Sequence, residues 1–293
     1  MTKPVLDLRP SPAVERAAVR AEEAAQVQAL AMAKVYVFAS VDYPGAAQSV
    51  VWDSDGTSAV GSFTFDPSGG SPATAFTFVG GVYQILPIAG SSTSTATSFN
   101  AFGLIVGGYQ DLAGVQRGFA TTGGAVTNVD FPGANGTQAI GVNDSGQIVG
   151  DYFDAAGVEH GFVNTGGAFT TVDFPGAQAT VVAGINTAGD IVGVWSDASG
   201  SHGFLRQGAA LTPINFPLAT STAAIGINDA GEIAGFYADA AGSNHGFIYA
   251  NGAFSTIDVA GARRTLLTRV KNGGEISGVY VDALDEFHGL TGQ

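Results

Sequence analysis

Four histidines recur at near-constant spacing, His160, His202, His245 and His288, each followed by glycine. Repeated imidazoles raise the question of a metal centre, because histidine is a common zinc ligand. The repeat argues against one. Each His opens the third of four short apolar runs, and neighbouring strands lie about 4.7–4.9 Å apart, which puts the third strand roughly 10 Å outside the first. Histidines of adjacent repeats are then too far apart to share an ion that needs bonds of about 2.0–2.1 Å. An aspartate stands five or six residues before them, as Asp154, Asp197 and Asp239 do, so each imidazole is expected to close its own turn. No metal site is expected.

A second cluster carries charge. Arg263-Arg264-Thr265-Leu266-Leu267-Thr268-Arg269-Val270-Lys271 holds four of the six basic residues found after residue 34. Such a run is either a solvated balance to an acidic body or an anion pocket. The turns Asn143-Asp144-Ser145-Gly146 and Asp53-Ser54-Asp55-Gly56 resemble calcium loops, but they lack the later bidentate acid that a six- to eight-oxygen site requires. Asx turns explain them at lower cost. There is no Gly-x-Ser-x-Gly, His-Glu-x-x-His or phosphate-cradling motif, so no catalytic residue and no cofactor is assigned.

The elements that must position these residues follow from a period of 42 or 43. His-Gly-Phe is preceded one period earlier by Arg117-Gly118-Phe119 and before that by Thr74-Ala75-Phe76, and it ends as His288-Gly289-Leu290. Ala-Gly-Ile-Asn strands and Val-Asp-Phe-Pro-Gly-Ala runs keep the same period. Each period contains four runs of five to seven residues separated by Asn, Asp and Gly turns, the pattern of a propeller blade. Inner strands near 48–53, 95–100, 137–143, 180–186, 222–228 and 265–271 predict a six-bladed, all-β propeller over residues 35–293. The last blade lacks its outer strand. Val35–Asp42 is therefore expected to supply it and to close the ring.

In this register Arg269 aligns with Gly141, Gly184, Gly226, Ser98 and Val51, and Lys271 with the turn Asn. Asp53 falls at the turn-Asn position of the first blade. Trp52 and Phe99 stand where Val142, Ile185 and Ile227 stand in later blades. Blades 6, 1 and 2 are thus the irregular ones. Inner strands line the channel of a propeller, so Arg269 and Lys271 are expected to make a positive spot there, with Arg263, Arg264, Trp52 and Phe99 completing a ligand site.

Composition narrows the partners. The 293 residues carry a formal charge of −14, and residues 35–293 hold six basic and 21 acidic groups. A broad basic face for nucleic acid is excluded. There is no cysteine and no apolar run long enough to span a membrane. Residues 1–34 differ in kind. Ser11-Pro12 reads as a cap and first turn, and residues 13–34 have helical composition with a thin alanine stripe. The expectation is a helix laid against the rim, or a docking and oligomerisation helix. No cleavable secretory pattern is present, which points to a cytoplasmic protein or to export without a cleaved signal.

The unit HGF…GxFxxVDFPGA…GINxxGxIVG, clearest from Arg117 to Gly289, resembles the bacterial HAF-type extracellular repeat, with Gly for Ala in the triplet. The resemblance covers about residues 35–293 and implies a repeat fold and an extracellular setting. It implies no reaction and no catalytic residue. The expected function is a binding or scaffold propeller for a small anion or a protein partner. An enzyme of the lyase, cyclase or hydrolase type, with its site in the axial funnel for an anionic or apolar small molecule, is the alternative.

Overall fold

The computed structural model describes residues 36–66 and 73–293. Among these residues all regular structure is β, arranged as six four-stranded antiparallel sheets. The innermost strands are β2 (Gln48–Ser54), β6 (Ser91–Phe99), β10 (Gly136–Val142), β14 (Ala179–Ile185), β18 (Ser221–Ile227) and β22 (Arg264–Val270). They neighbour one another in a closed circuit, with β22 against β2. The protein is a six-bladed propeller. The expected helix within residues 1–34 lies outside the described residues.

The core explains the triplet. Phe76, Phe119, Phe162, Phe204, Phe247 and Leu290 are all fully buried, one per blade. Each such side chain contributes about 1.5–3 kcal/mol by leaving water. The glycine before it is a spacing device. A Cβ on Gly161 would lie 2.6 Å from Val182 of the next blade, so a larger residue would force the blades apart.

The histidines fasten four of the six blades from outside. His160 reaches Asp154 of its own turn at 3.5 Å, as expected, and also Asp173 beyond the outer strand at 2.9 Å. His245 bridges Asp239 and Asp258 in the same way, and His202 contacts Asp197. Arg117 bridges Asp111 and Asp130, a permanent cation at the same place. Each ring stacks on an aromatic of the neighbouring strand, Tyr152, Trp195, Tyr237 or Tyr280. The Phe of the Phe-Pro turn (Phe131, Phe174 or Phe216) stacks on three of these, as Phe131 on Tyr152 with ring centres 3.6 Å apart.

In blade 6 the fourth strand is β1 (Phe38–Ser40), antiparallel to β24 (Phe287–Gly292) in register Phe38↔Gly292. Val37 and Gln293 exchange two backbone hydrogen bonds, and His288 contacts Asp42 at 3.1 Å. This strand is shorter than the expected Val35–Asp42, and Val35 lies outside the described residues.

Candidate functional site

Every inner strand carries a bulge near its channel end, β6 having a second at Ser92, and the shared bulge decides what faces the axis. Pairing shifts by one residue at Trp52, Thr97, Ile140, Ala183, Ile225 and Thr268. A bulge turns its strand locally and releases a carbonyl from the ladder. The next residue then comes close to the neighbouring blade. A Cβ on Gly184 would lie 2.6 Å from the Ile225 carbonyl, and one on Gly226 would lie 2.7 Å from that of Thr268. Glycine is required there by close approach.

The bulges also correct the register of blade 1. Asp53 pairs with Val60 as Gly141 pairs with Val149, so Asp53 is the counterpart of Arg269 and Asp55 that of Lys271. The alignment of Arg269 with Val51 was two residues out. Trp52 is the bulge residue, equivalent to Ile140 rather than to Val142, and it does not line the funnel. Phe99 does hold the Val142 position and does line the funnel. Six residues therefore form one ring after the bulges: Asp53, Ser98, Gly141, Gly184, Gly226 and Arg269.

Arg269 lies on the axis as a plug. It is 7% exposed, and its guanidinium donates to the bulge carbonyls of four blades. Nη1 reaches Ile225 at 3.2 Å and Thr268 at 2.8 Å, while Nη2 reaches Ile140 at 2.8 Å and Thr97 at 3.4 Å. Nε is 3.9 Å from Asp53. Burial, the larger influence, lowers the Arg269 pKa and Asp53 opposes it, but a guanidinium remains charged. Asp53 is fully buried. Its Oδ2 accepts from the Ser98 hydroxyl at 2.9 Å and the Phe99 N–H at 3.2 Å, and its Oδ1 is 2.7 Å from Lys271 Nζ. The same ammonium stands 4.7 Å over the Phe99 ring. The expected positive spot is corrected in one respect: both cations face the buried Asp53 carboxylate, which offsets part of their charge within the protein.

Above the plug opens a cavity of about 320 Å³, lined by the ends of all six inner strands and their turns. Its apolar wall includes Phe99, Val142, Ile185 and Ile227, and its rim includes Asp55, Asp144 and Asp229. The turn asparagines do more than shape their turns. Asn143 Oδ1 accepts from the Gln147 N–H, while Nδ2 crosses to the Asn186 carbonyl at 2.9 Å. Asn100, Asn186 and Asn228 repeat the crossing to the next blade. A chain of amides thus clamps the blades around the funnel.

Two rim carboxylates are held ionised. For Asp55 burial is the largest influence and raises the pKa, but the Ser58 and Thr57 N–H groups, the Thr57 hydroxyl and Lys271 together bring it below the usual range. The Thr187 N–H lowers that of Asp229, against a smaller opposing effect of burial. Such groups are poor proton donors and weak bases.

Other expected site residues are not brought here. Arg263 pairs with Asp285 at 2.6 Å, and Arg264 is exposed at the far end of β22. They are about 16–20 Å of strand away from Arg269. Asp282, Glu286 and His288 cluster within 4.8 Å on the outside of blade 6. Asp151, missed by the sequence reading, is a buried carboxylate outside the funnel, raised to about 7 by burial and then by Glu159. Among the described residues no helix is long and apolar enough to cross a membrane.

No protein-family profile matches the chain, and a search of curated proteins finds no match. Solved structures share its shape. A mutant of AofleA from Arthrobotrys oligospora matches with a TM-score of 0.54 at 12% identity, over 87% of this chain and 86% of that one. The Aleuria aurantia lectin, described as a six-bladed β-propeller, gives 0.51 at 13% identity, over 83% and 91%. TolB from Acinetobacter baumannii gives 0.56 at 10% identity, with this chain covering 63% of its length. At these identities the likeness is one of fold.

Proposed function

We propose that this propeller is a binding protein whose ligand enters the axial funnel above Arg269, with blades 6, 1 and 2 setting its specificity. The observation that carries this is the cavity of about 320 Å³, whose sixfold pattern is broken by Arg269, Lys271, Asp53 and Phe99. Regular blades supply a clamped frame, and the departures supply chemistry. A propeller of this build serves recognition elsewhere: the Aleuria aurantia lectin is described in complex with α-methyl-L-fucoside. The ionised rim carboxylates favour binding over acid–base catalysis. We further read the repeat as the HAF type, and the strand at Phe38–Ser40 as the latch that completes the ring.

Thr187 tests the site. It is exposed on a turn at the funnel mouth, so Thr187→Trp fills the opening without entering the core. Glycans, amines and carboxylates are screened by thermal shift against wild type and this variant. Binders of the wild type are expected to lose at least about tenfold in affinity in the variant, a loss set by excluded contact area. Equal binding by both proteins places recognition elsewhere.

A further inference from the structure

Resting on the funnel as the binding site, we infer that its ligand is a small amine with an apolar body, not an anion. The argument is an account of donors and acceptors. Arg269 has four N–H contacts to carbonyls and its Nε beside Asp53, so it has little left to offer an incoming oxygen. Both Nδ2 hydrogens of Asn143 are used, on Gln147 and the Asn186 carbonyl, and both of Asn228, on Glu232 and the Lys271 carbonyl. Asn272 Nδ2 is taken by Asp229. The turn N–H groups of Ala101, Thr187 and Asp229 point sideways to Asp144, Asp229 and Asn272. An anion entering here finds most donors already committed, with one Nδ2 hydrogen each on Asn100 and Asn186 and the rest of the Lys271 ammonium as the exceptions, and a polar group that cannot be satisfied is penalised.

Acceptors remain. Four carboxylates line the cavity, Asp53, Asp55, Asp144 and Asp229, against two cations, Arg269 and Lys271. Both cations face the single carboxylate of Asp53. Asp144 Oδ1 accepts from Ala101, and its Oδ2 has no partner among the described residues. The rim therefore carries unbalanced negative charge, which in a concave site concentrates cations. Lys271 already shows what the corner accepts: an ammonium 2.7 Å from a carboxylate and 4.7 Å over an aromatic face. The ring of Phe99, Val142, Ile185 and Ile227 offers an apolar wall for the rest of the ligand.

The test uses three probes of one shape: benzylamine, benzyl alcohol and benzoate, at about pH 7, where the first is a cation. Binding to the full chain is followed by NMR on the side-chain amides of Asn100, Asn143, Asn186 and Asn228, which lie in the funnel wall. Benzylamine is expected to shift these signals and to bind at least about tenfold more tightly than benzoate. Asp144→Asn, at an exposed turn, keeps the bond to Ala101 and is expected to weaken benzylamine about two- to fivefold without affecting benzyl alcohol. Lys271→Met frees the Asp53–Phe99 corner and is expected to strengthen benzylamine binding, whereas an anion site would weaken for benzoate. If benzoate binds as well as benzylamine or better, the cation inference is overturned while funnel binding stands. If no probe shifts the amides, the funnel reading falls with it.

Discussion

In blades 3, 4 and 5 the residue after the bulge is Gly141, Gly184 or Gly226, while in blades 6, 1 and 2 it is Arg269, Asp53 or Ser98. The same bulge precedes this position in both arcs. In the regular arc the next blade's bulge carbonyl fills the space that a side chain would need. In the irregular arc the position instead holds an acid, a base and a hydroxyl that bond one another and the carbonyls around the axis. Burying a charged pair costs several kcal/mol per ion unless every polar atom is engaged. Arg269 comes close to that condition by donating to carbonyls of four blades. The regular arc builds the wall of the funnel, and the irregular arc builds its floor.

The largest expected effect concerns the edge of the irregular arc. Removing residues 1–44 deletes β1 and Asp42, leaving β24 an open edge and His288 short of one carboxylate. The expected outcome is loss of a single cooperative thermal transition and aggregation, read by calorimetry and light scattering. Removing residues 1–34 alone should leave the transition in place. Cooperative melting of the longer deletion, like that of the full chain, would show that blade 6 needs no fourth strand.

A smaller effect sharpens the comparison inside the regular arc. Asp151 pairs with Gly161 where Val194, Phe236 and Val279 pair with the glycines of their own blades. Its folded pKa of about 7 lies above the unfolded value, so it contributes stability below about pH 3.9 that is lost as pH rises toward 7. Asp151→Val should raise stability at pH 8 by about 1–3 kcal/mol in urea unfolding, the cost of an unpaired buried polar group. No gain would mean that the carboxylate has a partner.

The histidine clamps give a slope at higher pH. For His245 the hydrogen bond it donates to Asp258 is the largest influence and raises the pKa. In His160 and His288 burial is the largest and lowers it, but the paired aspartates outweigh it and the net shift is upward. Their stabilisation is present below about pH 6.5 and is lost as pH rises through the raised folded values. The Tm of the Asp151→Val variant should therefore still decline between about pH 6.5 and 9. Arg117, which bridges the same two positions in blade 2, keeps its charge there.

Most of the frame was legible in the sequence because the constraint repeats. The buried Phe of each triplet, the inner strands and the count of six blades all follow from period and turn chemistry, and the structure places them within a residue or two. Blade 1 was misread for a physical reason. Its turn is one residue shorter, with the Asp55 N–H bonding Ser58 where the Asn143 N–H bonds Gln147. Asp53-Ser54-Asp55-Gly56 then mimics Asn143-Asp144-Ser145-Gly146 two residues out of phase. Bulges leave no mark in a run of small apolar residues, so the partner of Arg269 was hidden until strand pairing revealed it. The one visible signal was an arginine at a strand position where Gly141, Gly184 and Gly226 stand in other blades.

The claim that Asp53 and Arg269 form one axial unit is tested most directly by a double-mutant cycle on Asp53→Asn and Arg269→Met, measured by equilibrium unfolding in urea. Each single change should cost about 3–5 kcal/mol, because each strands a buried partner. The double variant should cost at least about 1 kcal/mol less than the sum of the two. Additive costs, or an Arg269→Met protein as stable as wild type, would contradict the plug and return Arg269 to the role of a free anion ligand.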